Sequence, residues 1–362
     1  MNILVITDLY PISENEKNTP KTIYNFVQEW KKLGHSVKVI KPNFIFNSFL
    51  RSKPFYKTKI YGDVENINYF LPFWGNIKNK MKSDINEFDA VIAHMPSGII
   101  FANKLKLDIP LITGVHVSDI EVLTNPIYSI YFKREMEKAY KKASKIACRS
   151  EVLKRKFLKL YPEYESKTFV AYSGTEIEPI RRNWQNKDKY RIITCANLIK
   201  RKNIDKVIDA CAEIKNVELI VIGDGKEMNR LKNLASKNPQ ITFSGHLSHK
   251  SVIEEMKRAD IFILPSINET FGMVYLEAMA CGCITIGLEN DGIDGILKNG
   301  ENGYLCNLDN IKETIENIIL SNTQNQILEN SYKTIKNYTN KNAGINYLEK
   351  SCLNINQQQK KL

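Results

Sequence analysis

Short apolar runs rich in Ile and Val alternate along this chain with stretches whose apolar residues recur three and four positions apart. The first pattern marks strands buried on both faces; the second marks helices that lay one stripe against a sheet. Residues 2–7 predict a first strand. Residues 21–33 predict a helix, with Ile23, Phe26, Val27 and Trp30 on one stripe and Gly34 ending it. Strands are predicted next at 36–40, 90–94, 110–116, 145–148 and 168–171. The series starts afresh with a strand at 191–196 and a helix at 204–214. Strands at 217–222, 241–244, 261–264 and 283–287 then alternate with helices at 226–236, 252–258 and 273–280. Such alternation implies parallel sheets covered by helices.

The polar stretch 176–189, with Pro179 and two arginines, reads as a linker between two α/β halves. The expected organisation is a first domain over 1–175, the linker over 176–189, a second domain over 190–340, and a C-terminal helix and tail over 341–362. A chain of 362 residues is long enough for two cores. Ligands of open α/β sheets bind at the carboxyl ends of the strands, so a cleft between two such ends is the expected site.

Composition narrows the class. At 43% hydrophobic and 25% charged residues, the chain is neither disordered nor collagen-like. No apolar run approaches the roughly 20 residues that span a bilayer. The amino terminus has no basic flank, and Asp8 interrupts its apolar run, so it reads as a strand and not a signal peptide. Seven scattered cysteines without Cys-x-x-Cys spacing read as reduced, buried thiols of a cytoplasmic protein, and no metal is expected.

Charge changes the picture further. The chain carries +12 overall, with +13 in residues 1–200 and −1 in residues 201–362. Residues 133–160 alone hold 11 Lys and Arg against three Glu. That stretch is either a solvated helix face or a surface for anionic lipid headgroups, where each basic residue contributes about 1 kcal/mol. No nucleic-acid motif accompanies it, and no nucleic-acid partner is expected.

Candidate chemistry concentrates where strand 261–264 meets helix 273–280. The N–H groups of Phe271, Gly272, Met273 and Val274 lie where a helix start suits a phosphate. Glu269 stands in the turn and Glu277 inside the helix, and a carboxylate can accept two hydrogen bonds from a vicinal diol. On spacing alone the two equally read as a dipole-favoured acid and a solvated one. Lys202 stands at a helix start, an unfavourable place for a cation unless an anion binds there. His116 ends one strand of the first half, and Asp119 follows three residues later.

Glu269 and Glu277, with Phe271-Gly272 and Glu277-Ala278-Met279-Ala280-Cys281-Gly282 around them, resemble the Glu-x7-Glu signature of the retaining glycosyltransferases of family 4. Further blocks follow in that family's order. Ala196-Asn197-Leu198-Ile199-Lys200-Arg201-Lys202-Asn203 resembles its Gly-Arg-Leu-x-x-x-Lys-Gly block. Lys202 matches the Lys there, while Asn197 replaces the Arg and Asn203 the last Gly. Phe243-Ser244-Gly245-His246 resembles the base-binding loop, and His116 with Asp119 the His-x-x-Asp neighbourhood. Asp291-Gly292-Ile293 resembles the family's usual continuation and reads as structural.

The resemblance implies the GT-B architecture, an α/β fold of two Rossmann-like doubly wound domains facing a cleft. It implies transfer, with retention and without a metal or resident cofactor, of a hexose or N-acetylhexosamine. The donor would be a nucleotide diphosphate sugar, a UDP-sugar by family prior, and the acceptor a hydroxyl of a glycan or lipid-linked glycan of cell-surface polysaccharide. Lys202, Glu269 and His116 would be catalytic. Asn197, Gly245, His246, Phe271, Gly272, Met273, Val274 and Glu277 would bind the donor. Asp119, Asn18 and Thr19 would lie on the acceptor or sugar side. The basic stretch would rest on the inner face of the plasma membrane. A nucleotide-sugar epimerase and a non-catalytic sugar-nucleotide-binding subunit stay open as alternatives.

Overall fold

The computed structural model describes residues 1–12, 21–44, 59–69, 81–128 and 132–353. Asn18, Thr19 and the Gln-rich tail lie outside the described residues. Two units are distinguished. Met1–Arg149, Leu153–Tyr172 and Asn340–Leu362 form the first; Ser150–Val152 and Ser173–Thr339 form the second.

The first unit runs β1 (Asn2–Ile6), α1 (Thr22–Lys32), β2 (Ser36–Phe44), β3 (Lys59–Tyr61), β4 (Val64–Tyr69), β5 (Ala90–Ala93) and α2 (Met95–Lys104). It continues with β6 (Leu111–Val115), α3 (Val117–Thr124), α4 (Pro126–Tyr128), α5 (Arg134–Lys142), β7 (Lys145–Cys148), α6 (Glu151–Leu160) and β8 (Thr168–Val170). Its sheet is ordered β3-β4-β2-β1-β5-β6-β7-β8 and is parallel except for the β3–β4 pair. The strand order reverses between β1 and β5, whose register pairs Ile6 with Ala93.

The second unit runs β9 (Tyr190–Cys195), α7 (Ile204–Ala212), β10 (Val217–Ile222), α8 (Met228–Ala235), β11 (Ile241–Gly245), α9 (His249–Arg258), β12 (Ile261–Leu264) and α10 (Met273–Ala280). Then follow β13 (Ile284–Leu288), β14 (Tyr304–Cys306), α11 (Ile311–Leu320) and α12 (Gln324–Ile335). Here the order is β11-β10-β9-β12-β13-β14, all parallel, and it reverses between β9 and β12. That reversal decides where the site lies. The chain leaves β9 and β12 at the same end of neighbouring strands, so two loops more than 60 residues apart in sequence meet there.

The last helix, α13 (Asn340–Lys350), belongs to the first unit. Tyr347, 1% exposed, packs against Phe26 at 5.1 Å and Trp30 at 5.3 Å between ring centroids. Trp30 Nε1 donates to the Gly344 carbonyl at 2.9 Å. Each aromatic pair of this kind adds about 1 kcal/mol beyond the apolar area it buries. α1 shows the stripe its sequence predicts, with Ile23, Phe26, Val27 and Trp30 all buried.

The structure adds strands β3, β4 and β14 and helices α3, α5, α6, α11 and α12 to the sequence reading, and it fills in three other features. α2 (Met95–Lys104) is a helix although Pro96 and Gly98 interrupt its sequence. It is buried on nearly every side, so it lacks the polar face that periodicity detects, and Pro96 sits in the first turn where its missing N–H costs nothing. Residues 176–189 do not hang free. Arg182 and Lys187 both reach the buried Asp260 carboxylate, and Trp184 stacks on Tyr190 at 5.1 Å, which fixes the stretch to the second unit. Arg149, counted in the basic stretch, has no exposed surface; it donates to the Ala171 carbonyl and lies over the Phe26 ring. Arg134, Lys138, Lys141, Lys142, Arg155, Lys156 and Lys159 are exposed, so a basic surface on α5 and α6 persists without Arg149.

Candidate functional site

In the second unit, the loop after β9 and the loop after β12 bring Lys202 and Glu269 together. The Lys202 ammonium donates to Glu269 Oε2, and the two side chains are only 11% and 18% exposed. Arg201 Nη1 lies 3.6 Å from the same oxygen, and Ser266 Oγ donates to it at 3.0 Å. Burial works to raise the Glu269 carboxyl's pKa. The Lys202 charge and hydrogen bond, aided by Arg201 and Ser266, outweigh it and leave the pKa lowered, so the group is a carboxylate at neutral pH.

Local sequence explains the geometry. Lys202 ends a 3-10 turn (Lys200–Lys202) that Asn203 closes in the left-handed region at φ 51°, with its side-chain amide donating to the Pro265 carbonyl at 2.7 Å. Asn is the residue besides glycine that most readily adopts this conformation, which is why Asn203 can stand at a glycine position. Arg201 also donates to the Ile267 and Asn268 carbonyls at 3.2 and 3.3 Å, and the Ile267 N–H bonds back to the Arg201 carbonyl at 2.8 Å. The loop that carries Glu269 is therefore stitched to the one that carries Lys202.

Gly272 precedes α10 at φ 82°, a conformation that disfavours any side chain. A Cβ there would also lie 2.4 Å from the buried Tyr275 ring. Phe271 is buried, while Met273 and Val274 are half-buried. Glu277 is 15% exposed and meets His249 Nε2 at 2.9 Å, a contact the sequence did not suggest. Asn197 is exposed, with its side-chain oxygen against Gly225. Gly245 ends β11 at φ 66°, and His246 is exposed.

The first unit holds a different constellation. His116, 4% exposed, follows β6, and its Nε2 lies 3.0 Å from Nδ1 of the fully buried His94, which follows β5. His94 Nε2 in turn meets the Tyr347 hydroxyl at 2.9 Å. Burial first, then the Arg149 charge, pushes His116 down to about 3. Burial, His116 and Arg149 likewise push His94 well below its ordinary value. Both imidazoles are neutral at physiological pH. Asp119, assigned above to the sugar side, is wholly buried, and its Oδ2 accepts from the His116 N–H at 2.7 Å. A carboxylate three residues into a helix satisfies a free amide of the first turn, and that is its visible work here. Burial pushes its carboxyl well above the usual range against that hydrogen bond.

Sequence reasoning missed His94 and Tyr347. His94 ends a strand that pairs with the strand ended by His116, so the shared sheet edge was the available signal. Tyr347 lies 253 residues from His94, and nothing local announces it.

Each unit is a Rossmann-like α/β arrangement built on a largely parallel sheet. The model of the family described as glycosyl transferases group 1 matches residues 176–341, and that of Glycosyltransferase Family 4 matches residues 20–179. An uncharacterized glycosyltransferase of Methanocaldococcus jannaschii is 30% identical over 259 residues, 70% of this chain and 70% of that protein. The chain therefore belongs to the glycosyltransferases of group 1, the family 4 type with GT-B architecture. Among solved structures, Anabaena HepE in complex with UDP superposes with a TM-score of 0.72 at 17% identity, covering 96% of this chain and 99% of that one. The lipopolysaccharide outer core galactosyltransferase WaaB superposes with a TM-score of 0.69 at 16% identity, covering 97% and 99%.

Proposed function

We propose that this glycosyltransferase moves a hexose or N-acetylhexosamine, with retention, from a UDP-sugar to a hydroxyl of a glycan or lipid-linked glycan of a cell-surface polymer. The observation that carries the reading is the buried Lys202–Glu269 pair at the strand-order reversal of the second unit. A fixed cation stabilises the charge that develops on a departing diphosphate. Lys202 is that cation, and Glu269, held by Ser266 and Arg201 as well, orients the hydroxyls of the transferred sugar. Glu277 holds the ribose diol, and the start of α10 faces the phosphates. His116 is assigned to the transferred sugar by family resemblance.

UDP is favoured because HepE was solved with UDP bound, and a cell-surface acceptor because WaaB acts in lipopolysaccharide. The reading includes no metal and no resident cofactor, so turnover is expected to persist in EDTA. The exposed basic residues of α5 and α6 support contact with anionic headgroups; binding to anionic vesicles should then weaken as salt rises. The direct check on the donor is a thermal-shift screen of nucleotide sugars. A ligand at 100 times its Kd adds about 2.7 kcal/mol, so UDP-sugars should raise Tm and free hexoses should not. A screen in which no uridine nucleotide shifts Tm would exclude this donor.

A further inference from the structure

Asp291 follows β13 and is 6% exposed. Its carboxylate collects three backbone amides. Asn268 N–H donates to Oδ2 at 2.7 Å; Glu269 N–H and Gly292 N–H donate to Oδ1 at 2.6 and 2.8 Å. Three such bonds satisfy a buried carboxylate with no cation of its own. They also clamp the two residues where the chain turns, for Asn268 sits at φ 57°, a conformation that costs a side-chain-bearing residue energy unless its surroundings hold it. Gly292 closes the same contact from the other side. A Cβ there would lie 2.7 Å from the Glu269 carbonyl oxygen and 3.0 Å from the Phe271 nitrogen.

Glu269 is thus gripped at both ends. Its side chain is held by Lys202, Ser266 and Arg201, and its backbone by Asp291. Because the side chain shares Oε2 among three partners, the rotation of the carboxylate about them is set by where the backbone stands. We infer that Asp291 is a positioning residue for the transfer reaction, fixing the Glu269 carboxylate against the transferred sugar while leaving the nucleotide contacts alone. The inference rests on the role given to Glu269 under the proposed function. Lys202, Glu277 and α10, which would hold UDP, make none of their described contacts through Asp291, so nucleotide affinity and turnover should separate when it is changed.

The experiment compares Asp291→Asn and Gly292→Ala with the unaltered protein, measuring kcat with a UDP-sugar it turns over, Kd for UDP, and Tm. Asp291→Asn sets an amide N–H₂ against backbone N–H groups; Gly292→Ala pushes the same loop without changing charge. Both should lower kcat by about 10- to 100-fold, the scale of a small misplacement of a reacting group, with UDP Kd within about threefold for Asp291→Asn; Gly292→Ala, whose Cβ also presses the Phe271 nitrogen at the start of α10, is read for kcat alone. Asp294→Asn, which alters an acid that accepts from Asn290 rather than from Glu269, should leave kcat unchanged. An unchanged kcat in both test variants overturns the inference, as does a joint fall of kcat, UDP affinity and Tm in Asp291→Asn, which would mark a purely structural contact. If the unaltered protein turns over no UDP-sugar, the proposed function fails instead, a result distinct from either.

Discussion

The two units bury ionisable groups at the ends of similar parallel sheets and reach opposite charge states. In the first unit His94, His116 and Asp119 lose their solvent and gain no opposite charge close enough to repay it, so burial wins and holds all three toward neutrality. In the second, Glu269 is also largely buried, but a cation bonds directly to it and a second stands 3.6 Å away, so attraction wins and the carboxylate stays charged. The difference teaches what each end is built for. A neutral, hydrogen-bonded network positions atoms; a charged pair in a partly dry site keeps a cation that, under the proposed function, would meet an arriving anion.

The comparison can be broken most forcefully at Tyr347. If the neutral network of the first unit is part of its packed core, Tyr347→Ala should cost about 3–5 kcal/mol of unfolding free energy in urea titrations; a cost under about 1 kcal/mol would show the network to be incidental to stability. Next in size is Lys202→Ala, which should lower turnover by about 10²–10³-fold with circular dichroism unchanged.

A smaller effect separates the charge states. The folded-state pKa of His94 is lowered, so on acidification the unfolded chain takes up its proton first, and the stability this histidine permits is intact above about pH 6.5 and lost below it. Unfolding free energy of the unaltered protein should therefore fall more steeply than that of His94→Gln as the pH drops below about 6.5. Parallel curves would mean that His94 is charged in the fold. The smallest effect belongs to the exposed Lys138, which meets the half-buried Glu135 at 2.9 Å. Lys138→Ala should change stability by less than about 0.5 kcal/mol, which calibrates the surface against both buried sites.

Much of this was legible in the sequence where neighbours in sequence are also neighbours in space. The strands of the second unit except β14 fall where apolar runs predict them, and α10 begins after Gly272 because a turn and a helix start are both local. Residues whose surroundings depend on distant partners were less legible. Arg149 looked like one more surface cation, yet it directly follows β7 and continues inward beneath Phe26. Asp291 read as structural, but the two amides it collects from 22 and 23 residues away could not be seen in the sequence. Asp119 was placed on the sugar side by resemblance, and its bond to the His116 N–H, a capping contact, was not foreseen. Residues 176–189 read as a linker, and the two units divide just before them; that the buried Asp260 gives two of them a partner was not visible.

The central claim, that the charged pair of the second unit serves sugar transfer, is tested most directly by UDP release from a panel of UDP-sugars in EDTA, with the unaltered protein and with Glu269→Gln. The account predicts turnover of at least one UDP-sugar without divalent metal, and a fall of about 10²-fold or more in the variant while the fold persists. Full activity in Glu269→Gln, or no turnover of any UDP-sugar by the unaltered protein, would contradict it.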